Sequence, residues 1–203
     1  MANEREHARL AVSRKAVELF VERGVAGTSG DDIAAAAGLS KRTVWRYFRS
    51  KESCVEPLLS VSALRFATVL RRWPRGEAIE TYLRDALQPA RQTPQEIADD
   101  VLAVRLIALL PDEPALRSAW LMSCHLAEQA LSAVVAERLR RAADDFDVRL
   151  CAAAMMAAVR LIDEDISLQA VRHGRRYTLT EVIDALARAI RQASTLPVCD
   201  PLD

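Results

Sequence analysis

The sequence has little of what sheets and tight loops require. Only six of its 203 residues are glycine, aromatic residues make up 5%, and no run alternates β-branched or aromatic residues with polar ones. Because such alternation is typical of a half-buried strand, β-structure is not expected. Alanine, leucine and arginine, all good helix formers, fill long stretches instead. We therefore expect an all-α protein with about nine helices.

The motifs of common enzyme and metal sites are also missing. The sequence has no GxSxG elbow, no P-loop, no HExxH and no GxGxxG after a strand, and its three histidines lie far apart. The four cysteines form no CxxC pair, and three lie in apolar helical sequence, where a thiol acts as a small hydrophobe. They are Cys54, Cys124, Cys151 and Cys199. We expect no enzymatic activity, no metal and no cofactor.

Signals for a membrane or for export are lacking as well. We find no stretch of about twenty apolar residues, which a membrane span would need. The N-terminus is charged from Glu4 to Arg9, unlike a secretory signal peptide. Unpaired cysteines fit a reducing compartment. These features predict a cytoplasmic protein without a membrane partner.

Charge is distributed unevenly although the net charge is zero. Residues 1–51 hold ten Lys or Arg and six Asp or Glu, about +4, whereas residues 52–203 hold eighteen and twenty-two, about −4. A basic segment joined to an acidic one indicates that only the first meets a polyanion, with ordinary surface scatter as the alternative.

Helical spacing of apolar residues continues along nearly the whole chain. Gly24 is expected to end the first helix, Ser29 and Asp32 resemble a capping box, and Pro57 predicts a kink or a late start in the fourth helix. The residues after 194 are expected to be frayed. The predicted helices cover 5–23, 31–37, 41–48, 52–72, 77–91, 95–110, 114–143, 147–170 and 178–194.

Residues 31–48, DDIAAAAGLSKRTVWRYF, carry the most informative pattern. Two short helices joined by a turn that contains glycine form a helix-turn-helix unit. Ile33 and Val44 are placed to face the core, small alanines let the helices approach, and Gly38 permits the positive φ of the turn. The second helix then presents its N-terminal half and outer face, which in such units meet base edges in the major groove. The residues on that surface are Lys41, Arg42, Thr43, Trp45, Arg46 and Tyr47.

The segment from Gly24 to Glu52 contains several short groups of residues at characteristic spacings. They are Thr28-Ser29, Asp32-Ile33-Ala34, Ala37-Gly38-Leu39-Ser40, Thr43, Tyr47-Phe48 and Ser50-Lys51-Glu52. In these residues the chain resembles the TetR family of repressors, over about residues 8–55. The resemblance implies that Thr28 and Lys51 hold DNA phosphates. The expected DNA-contacting residues are together Thr28, Ser40, Lys41, Arg42, Thr43, Trp45, Arg46, Tyr47 and Lys51.

Two positions depart from the pattern of this family. Trp45 stands where the family usually carries tyrosine or a smaller apolar residue, and Gly30 stands where valine or methionine is common. Because glycine is a poor helix former, the start of the second helix is expected to be looser than usual.

For the rest of the chain the resemblance implies a helical bundle whose last two helices pair with a second subunit. Residues 148–170 are rich in small residues and methionine, and residues 179–193 carry an apolar stripe, both of which suit helix pairing. The alternative is that both stripes face only the internal core. We expect residues 1–51 to form the DNA-binding domain and residues 52–203 the ligand-binding and dimerisation domain.

A small-molecule site is expected among the central helices, because ligand pockets are mostly apolar with a few polar groups. The candidates are Arg105, Leu109, Trp120, Cys124, His125, Met156 and Arg160. Each has a plainer interpretation as core or interface, and the two arginines can pair with Asp163 or Glu164 instead of a ligand. The segment RLIALLPDEPALRSAW also resembles a TetR branch of regulators of redox-cofactor and acyl-CoA related operons, which implies an acyl or aromatic effector.

Together these observations predict a ligand-responsive repressor that binds palindromic operator DNA as a homodimer. Its partners would be double-stranded operator DNA, a second copy of the chain and an effector that is apolar and either neutral or anionic. The alternatives are a helical interaction module, or an activator without small-molecule control.

Overall fold

The computed structural model describes residues 2–203, with side chains from Glu4 onward, and contains helices and loops but no strand in that part of the chain. The expected all-α fold of nine helices is confirmed. The helices are α1 (Ala2–Arg23), α2 (Gly30–Ala36), α3 (Lys41–Tyr47), α4 (Glu56–Leu70), α5 (Ile79–Ala86), α6 (Pro94–Ile107), α7 (Pro114–Leu139), α8 (Phe146–Arg172) and α9 (Leu179–Ala193). Short 3-10 turns cover Glu52–Val55, Pro89–Arg91 and Pro197–Cys199.

The predicted start and stop signals of the first two helices act as expected. Gly24 adopts a φ of 76° directly after α1, a left-handed conformation that glycine tolerates. At the start of α2, the Ser29 hydroxyl accepts from the Asp32 amide while the Asp32 carboxylate accepts from the Ser29 amide. This capping box satisfies two amides that the first turn of a helix leaves without partners.

The fourth helix begins late, as one of the two expectations for Pro57 required. A 3-10 turn over Glu52–Val55 precedes α4, and Pro57 lies in the first turn of α4, where it needs no amide donor. By length and composition the segment Glu52–Leu70 would be able to cross a membrane, which the sequence reading had not anticipated. Leu58 and Leu59, however, are completely buried in the core of the helical bundle.

Two helices end four or five residues before their predicted ends. The helix predicted for 77–91 ends at Ala86, because Pro89 forces the chain into a separate 3-10 turn. Helix α7 ends at Leu139, since Arg140 adopts a φ of 54° and stops the helix in a left-handed conformation. Arginine is not a residue that announces such a stop in a sequence.

One continuous hydrophobic core runs through the molecule. The most extensive helix packing is that of α4 on α7, followed by α8 against α9 and α7. Helix α1 packs on α2, α4 and α6, so the core extends from the N-terminal helices into the larger bundle.

The C-terminal tail is docked rather than frayed, which corrects the expectation for the residues after 194. Val198 and Cys199 are buried, and the Arg138 guanidinium on α7 donates to the carbonyl oxygens of Val198 (2.7 Å) and Asp200 (3.1 Å). The same guanidinium stacks on Trp73 and donates to the Glu77 carbonyl. Burial lowers the Arg138 pKa to about 10, yet the group stays charged at neutral pH and ties the tail to the α4–α5 loop.

Candidate DNA-binding surface and ligand cavity

Helices α2 and α3 form the predicted helix-turn-helix. Ile33, Ala34 and Val44 are buried between the two helices and α1. Gly38 turns the chain with a φ of 64°, and the Leu39 amide donates to the Ala34 carbonyl at 3.0 Å. The alanines allow the close approach and glycine the positive φ, so the local sequence accounts for this geometry.

The first turn of α3 is fixed by side-chain contacts. The Ser40 hydroxyl accepts from the Thr43 amide (3.2 Å) and shares a hydrogen bond with the Thr43 hydroxyl (2.9 Å). Lys41 pairs with Asp31 at the start of α2, 2.9 Å away, but both side chains are more than half exposed. Such an exposed pair stabilises little, so Lys41 can exchange Asp31 for a phosphate at small cost.

The outer face of α3 is basic and aromatic. Arg42 and Arg46 are exposed, Trp45 is 37% exposed, and Tyr47 lies half-buried beneath Arg46. Arg42 has no hydrogen bond or ion pair in the described part of the chain, which leaves its guanidinium available to a ligand outside the protein. The structure therefore brings together the residues that the sequence assigned to the second helix.

The sequence reading missed two further basic residues, both on α1. Arg5 lies over the Tyr47 ring and Arg9 over the Phe48 ring, with guanidinium-to-centroid distances of 5.8 and 5.4 Å. Both extend the positive surface beside α3. The basic character of residues 1–51 was their only signal in the sequence. The contacts of α1 with Tyr47 and Phe48 show which arginines of α1 join the basic surface of α3.

Gly30 and Trp45, the two departures from the family pattern, lie against each other. A Cβ atom at position 30 would lie 2.1 Å from Cζ2 of Trp45, so only glycine leaves room for the indole ring. The start of α2 is thus capped by Ser29 and Asp32 and covered by the Trp45 indole, whereas the sequence predicts a looser start. A large aromatic residue on α3 and a missing side chain on α2 compensate for one another.

Thr28 and Lys51, the residues expected to hold phosphates, both have hydrogen-bond partners within the protein. Thr28 is 1% exposed, and its hydroxyl donates to the Gly24 carbonyl at 2.9 Å, so its single proton is used inside the protein. The half-buried Lys51 ammonium donates to the carbonyls of Val25 (2.6 Å) and Thr28 (2.9 Å). Both residues hold the loop between α1 and α2, and that role accounts for them without DNA.

A cavity of about 510 Å³ opens among α4 to α9, within the range of small-molecule sites. Its wall is mostly apolar. The main apolar lining residues are Phe66, Val69, Leu87, Ile107, Trp120, Met156, Val159, Ile166, Val182 and Leu186.

Only two of the predicted ligand residues, Trp120 and Met156, line this cavity. The other five are elsewhere. Arg105 and His125 are exposed, Leu109 and Cys124 pack into the core, and Arg160 pairs with Glu164 at 2.9 Å. For Arg160 the plainer of the two interpretations, a carboxylate partner within the protein, is the observed one.

Much of the cavity wall comes from α4, α5 and α6, and among these only α6 carried a predicted ligand residue, Arg105. These helices contribute residues such as Phe66, Ala86 and Val104. These helices have ordinary apolar stripes, and no residue type in them marks a ligand site. The packing of all six helices together decides where their apolar faces do not meet and a cavity remains.

The charged part of the cavity wall consists of three acidic residues, Glu96, Asp100 and Asp163, and three arginines, Arg65, Arg72 and Arg91. Asp100 on α6 accepts from Arg65 (2.9 Å) and from Gln92 (2.7 Å), and these contacts neutralise it. Asp163 on α8 has no hydrogen bond or ion pair among the described residues. Burial raises the pKa of the Asp163 carboxyl to about 7, and the nearby carboxylates of Asp100 and Glu164 add to the rise.

A buried ion pair connects the cavity to the DNA-binding end of the molecule. Arg14 on α1 binds Asp99 on α6 through two hydrogen bonds of 2.7 and 2.8 Å, and the Asp99 side chain is only 3% exposed. Asp100, next to it on α6, lines the cavity. The ion pair thus joins a helix of the cavity wall to α1, on which α2 packs.

Helix α8 exposes an apolar stripe, whereas α9 does not present the one predicted. Phe146, Leu150 and Leu161 are 72%, 45% and 56% exposed, and Ala157 is exposed on the same face at helical spacing. On α9, by contrast, Ile183, Leu186 and Ile190 are buried in the protein's own core. The alternative interpretation, that the stripe faces the internal core, is thus the observed one for these three residues of α9, whereas Leu179 at its start is 39% exposed.

Comparisons with known proteins agree with this arrangement. Residues 14–58 match the model of the N-terminal domain of bacterial regulatory proteins of the TetR family, and residues 77–192 match that of the MftR C-terminal domain. The chain is 29% identical to the HTH-type transcriptional regulator TcmR of Streptomyces glaucescens over 162 residues, 77% of this chain and 72% of TcmR.

Solved structures show the same fold. GusR of Salmonella enterica superposes with a TM-score of 0.57 at 21% identity, covering 93% of this chain and 96% of GusR. The multidrug binding protein EbrR, complexed with imidazole, superposes with a TM-score of 0.52 at 19% identity, covering 93% and 96% of the two chains. The chain belongs to the TetR family of bacterial transcriptional regulators.

Proposed function

We propose that this regulator is a repressor that binds palindromic operator DNA as a homodimer and is released by a small molecule. The observation that carries the proposal is the exposed face of α3, where basic and aromatic side chains surround an Arg42 without a protein partner. In a helix-turn-helix the start of the second helix meets base edges, so residues 1–51 would read the operator. Residues 52–203 would bind the effector and the second subunit.

The DNA contacts divide by chemistry. Arg42 is placed to bind guanine, Thr43 and Trp45 to meet thymine methyl groups or sugars, and Lys41 and Arg46 to bind phosphates. Ser40 holds the first turn of α3 in position through Thr43. Arg5 and Arg9 would add phosphate contacts from α1.

The second subunit would pair along α8. A helix whose exposed face carries Phe146, Leu150, Ala157 and Leu161 leaves a long apolar strip in water unless another surface covers it. A self-complementary strip is what a two-fold symmetric dimer needs, and a dimer supplies two recognition helices to a palindrome.

Release would follow from a change in the spacing of the two α3 helices, which must lie about 34–36 Å apart to enter successive major grooves. The cavity lies between α4, which continues from the helix-turn-helix, and α6, which is bonded to α1. A molecule that binds the spread state better than the DNA-bound state would lower DNA affinity. EbrR, a structural neighbour, is described as a multidrug binding protein, which supports small-molecule binding by this fold.

The test of the DNA-binding surface is footprinting on the DNA that flanks the protein's own gene, followed by binding titrations. Replacing Arg42 with alanine should cost about 1–3 kcal/mol and relax the preference at one base pair. Arg188→Ala on α9, also exposed, is the matched control and should change neither quantity. If Arg42→Ala binds with unchanged sequence preference, the assignment of α3 to the groove is wrong.

The competing possibilities separate in the same experiments. An interaction module without DNA function would show no footprint and no dependence of binding on salt. An activator would footprint but would raise transcription from the bound promoter in a reconstituted assay.

A further inference from the structure

The wall of the cavity contains a carboxyl group that the protein itself leaves without a partner. Asp163 lies on the face of α8 that carries Met156, Val159 and Ile166, and all four residues line the cavity. No hydrogen bond or ion pair to Asp163 exists in the part of the chain that the structure describes. The Asp163 side chain is half-buried, and a carboxyl that is partly withdrawn from water without a partner costs free energy unless a ligand supplies one.

The charged groups around Asp163 are already committed to one another. On α8, Arg160 binds Glu164 at 2.9 Å, and Glu164 also accepts from the Trp120 indole of α7 at 3.0 Å. From α7, Arg117 lies 3.5 Å from the other oxygen of Glu164.

The cations of the other cavity helices are likewise occupied or remote. On α6, Asp100 is bound by Arg65 of α4, and Glu96 lies 4.0 Å from the same guanidinium. The Nη2 atom of Arg65 is buried without a partner, and Arg65 itself lines the cavity. Arg72 and Arg91 line the cavity but are exposed at its rim, and Arg91 pairs with Asp85.

Resting on the proposed function, we propose that the effector is a lipophilic amine whose protonated nitrogen donates to Asp163 while its apolar body fills the cavity. A charge-assisted hydrogen bond of this kind is among the strongest hydrogen bonds that a protein can offer a ligand. Phe66 and Trp120 line the same cavity, and aromatic rings favour a nearby cation.

An anionic effector, which the sequence reading had considered, would find as cations in the cavity wall only Arg65, which is already bound to Asp100, and the exposed Arg72 and Arg91. The arginines on which that idea rested lie outside it, since Arg105 is exposed on the outer surface and Arg160 is bound to Glu164. A carboxylate inside would instead meet Asp163, and the two like charges would repel each other.

Calorimetric titration of the full-length protein with three matched series tests the proposal. The series are hexyl-, octyl- and decylamine, the corresponding alcohols, and the corresponding carboxylates. At least one amine should bind roughly tenfold or more tightly than its alcohol and its carboxylate, since a hydrogen bond to a charged group contributes about that much. Asp163→Asn should abolish this preference, whereas Asp165→Asn, an exposed aspartate on the same helix, should preserve it.

The dependence of amine binding on pH provides a second readout. Because the pKa of Asp163 is about 7 in the folded protein, amine affinity should rise between about pH 6 and pH 8 as the carboxyl ionises. The amine itself stays protonated over this range. In Asp163→Asn the affinity should not change with pH.

The chain without ligand gives a third readout that needs no binding. The Asp163 pKa is about 7 when folded against 3.8 as its ordinary value, so the folded state binds more protons between these two values. Its contribution to stability is present at low pH and is lost as pH rises through that window. As the pH rises from about 4 to about 8, the Tm of the unaltered protein should therefore fall relative to the Tm of Asp163→Asn.

Three outcomes would overturn the proposal: no amine of the series binds, a carboxylate binds as well as its amine, or Asp163→Asn keeps the preference for amines. Footprinting with each compound is run in parallel. If the protein protects operator DNA but no amine releases it, this inference fails while the DNA-binding function stands. If no DNA is protected at all, the proposed function itself fails.

Discussion

At the scale of single residues, Gly30 and Trp45 explain each other. The indole of Trp45 occupies the space of a side chain at position 30, where a Cβ would lie 2.1 Å from Cζ2. Glycine costs helix stability in most positions, but here any other residue would have to move an aromatic side chain on the exposed face of α3.

Gly30→Ala should therefore destabilise the protein by about 1–3 kcal/mol, because overpacking forces either α2 or the indole to shift. It should also weaken DNA binding. Adding Trp45→Ala removes the clash, so the double variant should recover most of the stability that Gly30→Ala loses. Chemical unfolding of the two single variants and the double variant measures this coupling.

Ala35→Gly, on the exposed side of α2, is the matched control for helix propensity. Its effect should be independent of Trp45. Additive effects of Gly30→Ala and Trp45→Ala would show that the two side chains do not compete for one space.

Lys51 illustrates at this scale how a charged residue can serve the fold from a distance in sequence. Its ammonium group satisfies the Val25 and Thr28 carbonyls, 26 and 23 residues away in sequence. A sequence pattern shows that a lysine is present but not that the loop between α1 and α2 folds back to reach it.

At the scale of helices, α1 of the helix-turn-helix unit contacts α6 of the cavity wall. The Arg14–Asp99 pair, in which Asp99 is buried, is a polar link between these two helices. Removing one member of such a pair leaves the other uncompensated and is strongly destabilising, about 3 kcal/mol.

We expect Asp99→Asn to lower the free energy of unfolding by about that amount, and Arg14→Leu with Asp99→Leu to recover much of the loss. Urea unfolding of the single and double variants gives the coupling energy. The exposed pair Lys15–Glu18 on α1 is the control, since its members are 46% and 45% exposed and should couple by less than about 1 kcal/mol. Equal coupling energies for the two pairs would remove Arg14–Asp99 from its proposed role.

At the scale of the whole molecule, the question is how two copies meet. Our inference places the seam on α8, because α9 buries its own apolar stripe within the protomer and α8 does not. Leu186, on α9, is 7% exposed and lines the cavity, so a charge there would disrupt the core rather than an interface.

Light scattering should show a dimer at micromolar concentration. Ala157→Asp should give a folded monomer, since the charge would lie unpaired in the apolar seam. Ala98→Asp, at an exposed alanine of α6, serves as the control and should remain a dimer. A monomeric unaltered protein would remove the dimer and the palindromic operator together.

The sequence by itself determined the local structure of this protein. Gly24 and Gly38 dictate where helices stop and turn, Ser29 with Asp32 caps α2, and Pro57 sets the start of α4. These signals act within one helical turn of the residue that carries them, so they can be read without knowing the fold. The basic recognition helix belongs to the same class, because its pattern lies within a single short segment.

Tertiary structure decided the rest, because it depends on residues far apart in the chain. The joint packing of α4 to α9 decides which apolar helix faces leave a cavity between them. The same packing places Asp163 in the cavity wall and lets Arg160 pair with Glu164. Likewise Thr28 and Lys51 hold a loop, and the C-terminal tail docks on Arg138 across about sixty residues. Helical periodicity fixes which face of a helix is apolar, but only packing fixes what that face meets.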